Sequence, residues 1–205
     1  MGGRQDKQSP AQRREPMAAK RARMFEQVVL CHLDLAYRVA MKLTGNRHEA
    51  EDLVQETFLR AHAAFDNFEL REYGARPWLL KILHNVFCSR CERARKAPSL
   101  LDDLSLDDIA AELEQNPLPA FSADSVDWEQ IDEELKAAVL ALAPEYRTVI
   151  VLWALAGLSY KEIAEVLGCA MGTVMSRLYR ARQKLGKELS DFAAERNIKA
   201  APEVK

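Results

Sequence analysis

Between Leu158 and Leu185 the chain reads LSYKEIAEVLGCAMGTVMSRLYRARQKL, and few folds accommodate that pattern. Ser159 followed three residues later by Glu162 is a capping box, in which hydroxyl and carboxylate satisfy the free N–H groups that open a helix. The spacing predicts a helix from about Tyr160, with Ile163, Ala164, Val166 and Leu167 on its inner side. Gly168 can adopt the positive φ that ends a helix without a Cβ penalty. After a turn over 168–171, Val174, Leu178, Ala181 and Leu185 recur at helical period and form a second inward stripe. From Thr173 to Lys187 the only charged residues are Arg177, Arg180, Arg182, Lys184 and Lys187, so the outer faces are purely cationic. A basic helix that is merely solvated is the plain alternative. The capping box, the small turn and the polycationic second helix together fit a helix-turn-helix whose second helix meets phosphates.

The remaining 205-residue chain divides by charge. Residues 1–23 hold seven Lys or Arg, two prolines and few large apolar groups, and are expected to be a disordered basic tail. From Met24 to Leu43 apolar residues recur at helical period, and Gly45 ends that helix. Asn46 is placed to cap a second helix running to Phe65. Phe65–Ala75 breaks the pattern before Pro77, which suits the first turn of a third helix reaching about Arg95. Residues 24–96 therefore form one small helical domain. Residues 97–135 contain no Lys or Arg, twelve Asp or Glu and three prolines, so 97–124 is expected to be an acidic flexible linker. It is a solubilising tether, a segment that folds back on the basic domains, or one that threads a positively charged protein channel. A second domain spans 125–190, with PEYRTVIVLWALAG as its central helix and Gly157 closing that helix, and 191–205 is a tail. The fold class expected is all-α, with two small helical domains.

Several functions are excluded by what the chain lacks. No Gly-rich phosphate loop or nucleophile elbow is present, so the chain is not expected to be an enzyme or to need a cofactor. No apolar run approaches the length of a membrane span, and the polar N-terminus has no signal-peptide core, which places the protein in the cytosol with no membrane partner. Cys31, Cys88, Cys91 and Cys169 are then expected as reduced thiols. His84, Cys88 and Cys91 share one helical face in an H-x3-C-x2-C pattern that could reach a metal if a fourth ligand arrived. No such ligand is evident, and these cysteines are read as small half-buried residues, with no metal site.

GTVMSRLYRARQKL, preceded by PEYRTVIVLWALAGLSYKEIAEVLG, closely resembles the −35 reading domain of the extracytoplasmic-function (ECF) sigma factors of bacterial RNA polymerase. DLVQETFLRAH and RPWLLKILHNVFCSRCERARKAP resemble that family's polymerase-docking and −10 helices, and the resemblance covers about Phe25 to Leu189. It implies that Asp52, Gln55, Glu56, Leu59 and Arg60 contact the clamp helices of the β′ subunit of core RNA polymerase. It further implies −10 contacts by Asn67, Phe68, Tyr73, Arg76, Asn85, Arg90 and Arg93, the loop holding Asn67, Phe68 and Tyr73 capturing an extruded base. Trp78 is read as a core residue. Where many members carry Asp four residues after the Asn, this chain has Ser89.

On the −35 side the resemblance points to Thr173, Met175, Ser176, Arg177, Tyr179, Arg180 and Lys184. Arg177, Arg180 and Lys184 suit phosphates, and Met175, Ser176 and Tyr179 lie nearer base edges. The implied partners are core RNA polymerase, promoter DNA and an anti-sigma factor wedged between the domains. The nearest resemblance is to members that answer redox stress through zinc-containing, thiol-based inhibitors. The competing readings are a stand-alone helix-turn-helix regulator and, on the His84 cluster alone, an anti-sigma protein or metal sensor.

Overall fold

A computed structural model describes residues 17–69, 74–94 and 133–188, and every regular element among them is a helix. The first domain comprises α1 (Met17–Val28), α2 (Leu33–Thr44), α3 (Arg47–Ala64) and α4 (Arg76–Ala94). The second comprises α5 (Glu133–Ala141), α6 (Pro144–Ala154), α7 (Tyr160–Leu167) and α8 (Met171–Glu188). The expected acidic linker and C-terminal tail lie outside the described residues.

Local chemistry sets the corners. Gly45 takes φ 69°, and its N–H donates to the Met41 carbonyl, closing α2. The Asn46 side chain then accepts from the N–H groups of His48 (2.9 Å) and Glu49 (3.2 Å), so α3 begins one residue later. In the second domain Ser159 and Glu162 form the expected reciprocal cap, and Gly168 ends α7 at φ 64°. Pro144 stands at the start of α6 as expected. That helix stops at Ala154, before Gly157, yet Leu155 and Leu158 remain buried and continue its core.

The N-terminal reading needs correction in two places. Helix starts at Met17, inside the segment expected to be a disordered tail, because tertiary partners hold it. Arg21 bonds the His62 carbonyl (3.1 Å) and pairs with Asp66 (2.7 Å), and Phe25 meets Phe65 edge-on at 5.2 Å. The expected single helix from Met24 to Leu43 is also two helices, separated by a 3-10 turn at Leu30–His32. Phe25 serves the far end of α3, whereas Ala36, Val39, Ala40 and Leu43 are buried along α2, and a change of axis lets both sets bury.

One buried cluster runs through both domains. Leu43, Leu53, Leu79 and Leu83 fill the first domain, and Val149, Leu152, Ile163, Val174 and Leu178 the second. The domains touch directly: α4 packs along α7, and α2 packs on α5 and α6. Arg147, near the start of α6, donates across this seam to the Leu43 carbonyl while also holding the Leu140 and Leu142 carbonyls of its own domain.

Candidate nucleic-acid and polymerase interface

Helix α3 separates its faces sharply. Leu53, Val54, Thr57 and Ala61 are buried, and Asp52, Gln55, Leu59 and Arg60 are exposed. Leu59 is 66% exposed, an apolar side chain at the centre of a polar face. Glu56 is half-buried between two arginines, Arg60 one turn on (2.5 Å) and Arg90 of α4 (2.8 Å). The Arg90 bond, helped by Arg60, holds the Glu56 carboxyl below the usual carboxylate range. All five residues expected to meet polymerase thus share one surface.

Arg90 departs from its expected place among the −10 contacts. Its guanidinium also donates to the carbonyls of Asp52 (3.0 Å) and Glu49 (3.4 Å), so it ties α4 to α3. A residue bound this way positions the two helices relative to one another. Asn85 and Arg93 are exposed as expected, and the Ser89 hydroxyl donates to the Asn85 carbonyl at 2.9 Å. Tyr73 lies outside the described residues.

Of the −10 candidates, Asn67 and Phe68 lie at a cleft of about 360 Å³. Asn67, Phe68, Glu69, Gly74, Pro77, Trp78 and Lys81 line it from the first domain, and Glu165 and Val166 of α7 line it from the second. Phe68 stacks on Phe65 (5.5 Å, 14° between planes) and leans on Trp78 (4.5 Å, 47°). Trp78 packs against the core as expected and, being half-exposed, also forms part of an aromatic wall. Arg76 stands nearby, 3.5 Å from the Glu162 carboxylate. An aromatic wall beside an amide and a Lys suits an unpaired base and its phosphate. Lys81 and Trp78 meet Asn67 only because of how the loop returns to α4.

On α8, Val174, Leu178 and Ala181 are fully buried, so the remaining faces point outward. Thr173, Met175, Arg177, Tyr179 and Arg180 are half-exposed and Lys184 is exposed. The Lys184 ammonium sits 4.6 Å above the Tyr146 ring, and the Tyr179 hydroxyl accepts from Gln183 at 2.6 Å. Ser176 differs from expectation. It is 8% exposed and donates to the Thr173 carbonyl at 3.0 Å, because it flanks the inward stripe closely enough to be covered. The base-edge candidates that remain at the surface are Met175 and Tyr179.

His84 and Cys88 of α4 lie against each other, with the thiol 3.4 Å from the His84 Nε2. Among the described residues no group of three His, Cys, Asp or Glu side chains is gathered to hold a metal. Burial, with the Arg177 charge second, pushes the His84 pKa down to about 4, and burial pushes the Cys88 thiol up to about 11. His84 is therefore neutral at pH 7. Below pH 6.5 the unfolded chain takes up a proton that the folded chain refuses, so stability should fall as pH drops from about 6.5 to about 4, by at most about 1.4 kcal/mol per pH unit. Denaturant midpoints across that range, compared with His84→Gln, check this; equal slopes in both proteins would rule it out.

Residues 28–97 match the family model for Sigma-70 region 2, and residues 132–185 match that for Sigma-70 region 4. The ECF RNA polymerase sigma factor SigW of Bacillus subtilis is 32% identical over 172 residues, covering 82% of this chain and 90% of that protein. This chain is an ECF sigma factor. SigE of Mycolicibacterium smegmatis, also an ECF RNA polymerase sigma factor, is 36% identical over 83% of the chain, which spans 63% of that longer relative. Among solved structures, the sigma factor RpoE of Bartonella quintana, in complex with the anti-sigma factor NepR, matches with TM-score 0.60 and 29% identity, covering 81% of this chain and 96% of its own. CnrH, in complex with the cytosolic domain of CnrY, matches with TM-score 0.57 and 29% identity over 85% and 95%. Like other sigma factors, this one is a non-enzymatic initiation factor that gives RNA polymerase its promoter specificity. None of its described helices is long and apolar enough to cross a membrane.

Proposed function

We propose that this sigma factor docks on the β′ clamp helices of core polymerase through Asp52, Gln55, Glu56, Leu59 and Arg60. It holds an unpaired −10 base in the cleft of Asn67, Phe68 and Trp78, and reads the −35 element with α8. The observation that carries this reading is the cleft, where an amide, two aromatic rings and Lys81 meet at one opening. Stacking of one base on such a wall contributes about 1–3 kcal/mol, enough to trap DNA opened by thermal fluctuation without hydrolysis. Arg76 and Lys81 flank the base, Asn85 and Arg93 extend the contact along α4, and Arg90 holds α4 in register with the polymerase-facing helix. On this reading the protein works in the cytoplasm, in a stress response.

An anti-sigma protein is the implied silencer, since the sigma factor RpoE described above is seen with an anti-sigma factor and CnrH with a bound partner domain. Its sensing chemistry belongs in that partner and answers redox stress. The Cys88 thiol here is pushed up to about 11 and is a poor thiolate, which supports that assignment. The test is transcription in vitro with purified core polymerase, with and without this protein, and with and without oxidant. Promoter-specific transcripts that need the protein and ignore the oxidant are expected. Tight duplex binding without polymerase and no transcript would instead support the stand-alone regulator, and an oxidant response without a partner would move sensing into this chain.

A further inference from the structure

Helix α7 belongs to the second domain, yet its Glu165 and Val166 wall the cleft whose other sides are Asn67, Phe68, Trp78 and Lys81. One turn earlier, Glu162 places its carboxylate 3.5 Å from the Arg76 guanidinium. Carboxylates thus stand where the phosphates of a captured strand would approach Arg76 and Lys81. The seam is also tightly made. Arg147 donates to the Leu43 carbonyl across it, and a Cβ on Gly45 would meet both δ-methyls of Leu140 at 2.8 Å.

We propose that the free chain closes its own −10 cleft with α7, so that the helix-turn-helix competes with single-stranded DNA until the domains part. The inference rests on the reading of that cleft as the −10 site. An exposed carboxylate at the cleft and a partly exposed Arg–Glu pair are weak contacts, so the latch resides mainly in Arg147 and in the Gly45–Leu140 packing. A reversible shutter needs that balance. If about one free chain in ten is open, the apparent affinity for a strand is about tenfold below that of the open form.

The test uses the full chain and a labelled, mixed-sequence single-stranded oligonucleotide at fixed salt. Arg147→Ala and Leu140→Asp are compared with wild type. Each makes the protein more negative, so direct electrostatics would weaken DNA binding in both. Release of the latch instead predicts binding several-fold tighter, together with a larger radius of gyration in small-angle scattering. Unchanged or weaker binding by a variant of native helicity would overturn the proposal. Arg147 also holds two carbonyls of its own domain, and if its replacement unfolds the chain, Leu140→Asp carries the comparison. Scattering from the wild-type chain is a further arm, and a profile of two separated bodies would overturn the closed state outright. Failure of all forms to support transcription with core polymerase would count against the promoter-reading role. Normal transcription without any gain in strand binding would count against the latch alone.

Discussion

The triple replacement of Asp52, Gln55 and Arg60 by alanine is expected to raise the dissociation constant for core polymerase by about a hundredfold or more, with helicity unchanged. All three side chains are exposed on α3, so none fills the core. Losing the Arg60–Glu56 pair removes about 0.3–0.5 kcal/mol of helix stability, typical of an i,i+4 pair in solvent. Glu56 keeps its bond to Arg90, so the α3–α4 contact survives. An interface concentrates its energy in a few central residues, and two of them worth about 1.4 kcal/mol each already give a hundredfold change. Leu59→Ala should weaken docking separately, because a Leu that is 66% exposed contributes little to the fold and much to an apolar contact. Binding titrations of the variants against core polymerase, beside thermal melts, decide the matter. Affinity within about threefold of wild type for the triple variant would place the docking surface elsewhere.

Replacing Arg177, Arg180 and Lys184 together should flatten the salt dependence of promoter binding by the holoenzyme. Each phosphate contact adds about 0.9 to the slope of log affinity against log salt, so three lost contacts should lower it by about 2.7. The loss should be similar on every promoter, since phosphates carry no sequence. Lys184 is a partial exception in stability, because its ammonium over the Tyr146 ring contributes about 0.5–1 kcal/mol. Met175 and Tyr179 replacements should instead shift sequence preference at similar salt slope. Ser176→Ala should leave both nearly unchanged, since that hydroxyl is turned inward to Thr173. A change of preferred sequence from the cationic replacements alone would reverse these roles. The measurement is affinity over a salt series on a small set of promoter variants.

What the sequence determined by itself is what neighbours in the chain decide. The Ser159–Glu162 box, the Asn46 cap and the glycine stops at Gly45 and Gly168 each act within four residues, and all four occur where the residue types place them. The inward stripe of Val174, Leu178 and Ala181 is likewise legible, because the period of a helix is set by its backbone. So is the apportioning of α3 into a buried and an exposed face.

Tertiary structure alone decided the rest. Met17–Arg23 has a tail's composition but becomes helical, because Arg21 and the helix carrying it find partners some forty residues away, and the burial of Phe25 helps to offset the ordering entropy. Arg90 could equally have faced DNA; the α3 carbonyls and Glu56, 34 to 41 residues distant in sequence, capture it instead. Trp78 packs against the core and, with Phe68 returned beside it, also walls the cleft, and Ser176 was covered by its surroundings. The packing of α7 on α4 is furthest from anything the sequence could disclose. Helix α7 is strongly one-sided, and a periodic apolar stripe says that a face must be buried without saying against which partner, since the hydrophobic effect is non-directional.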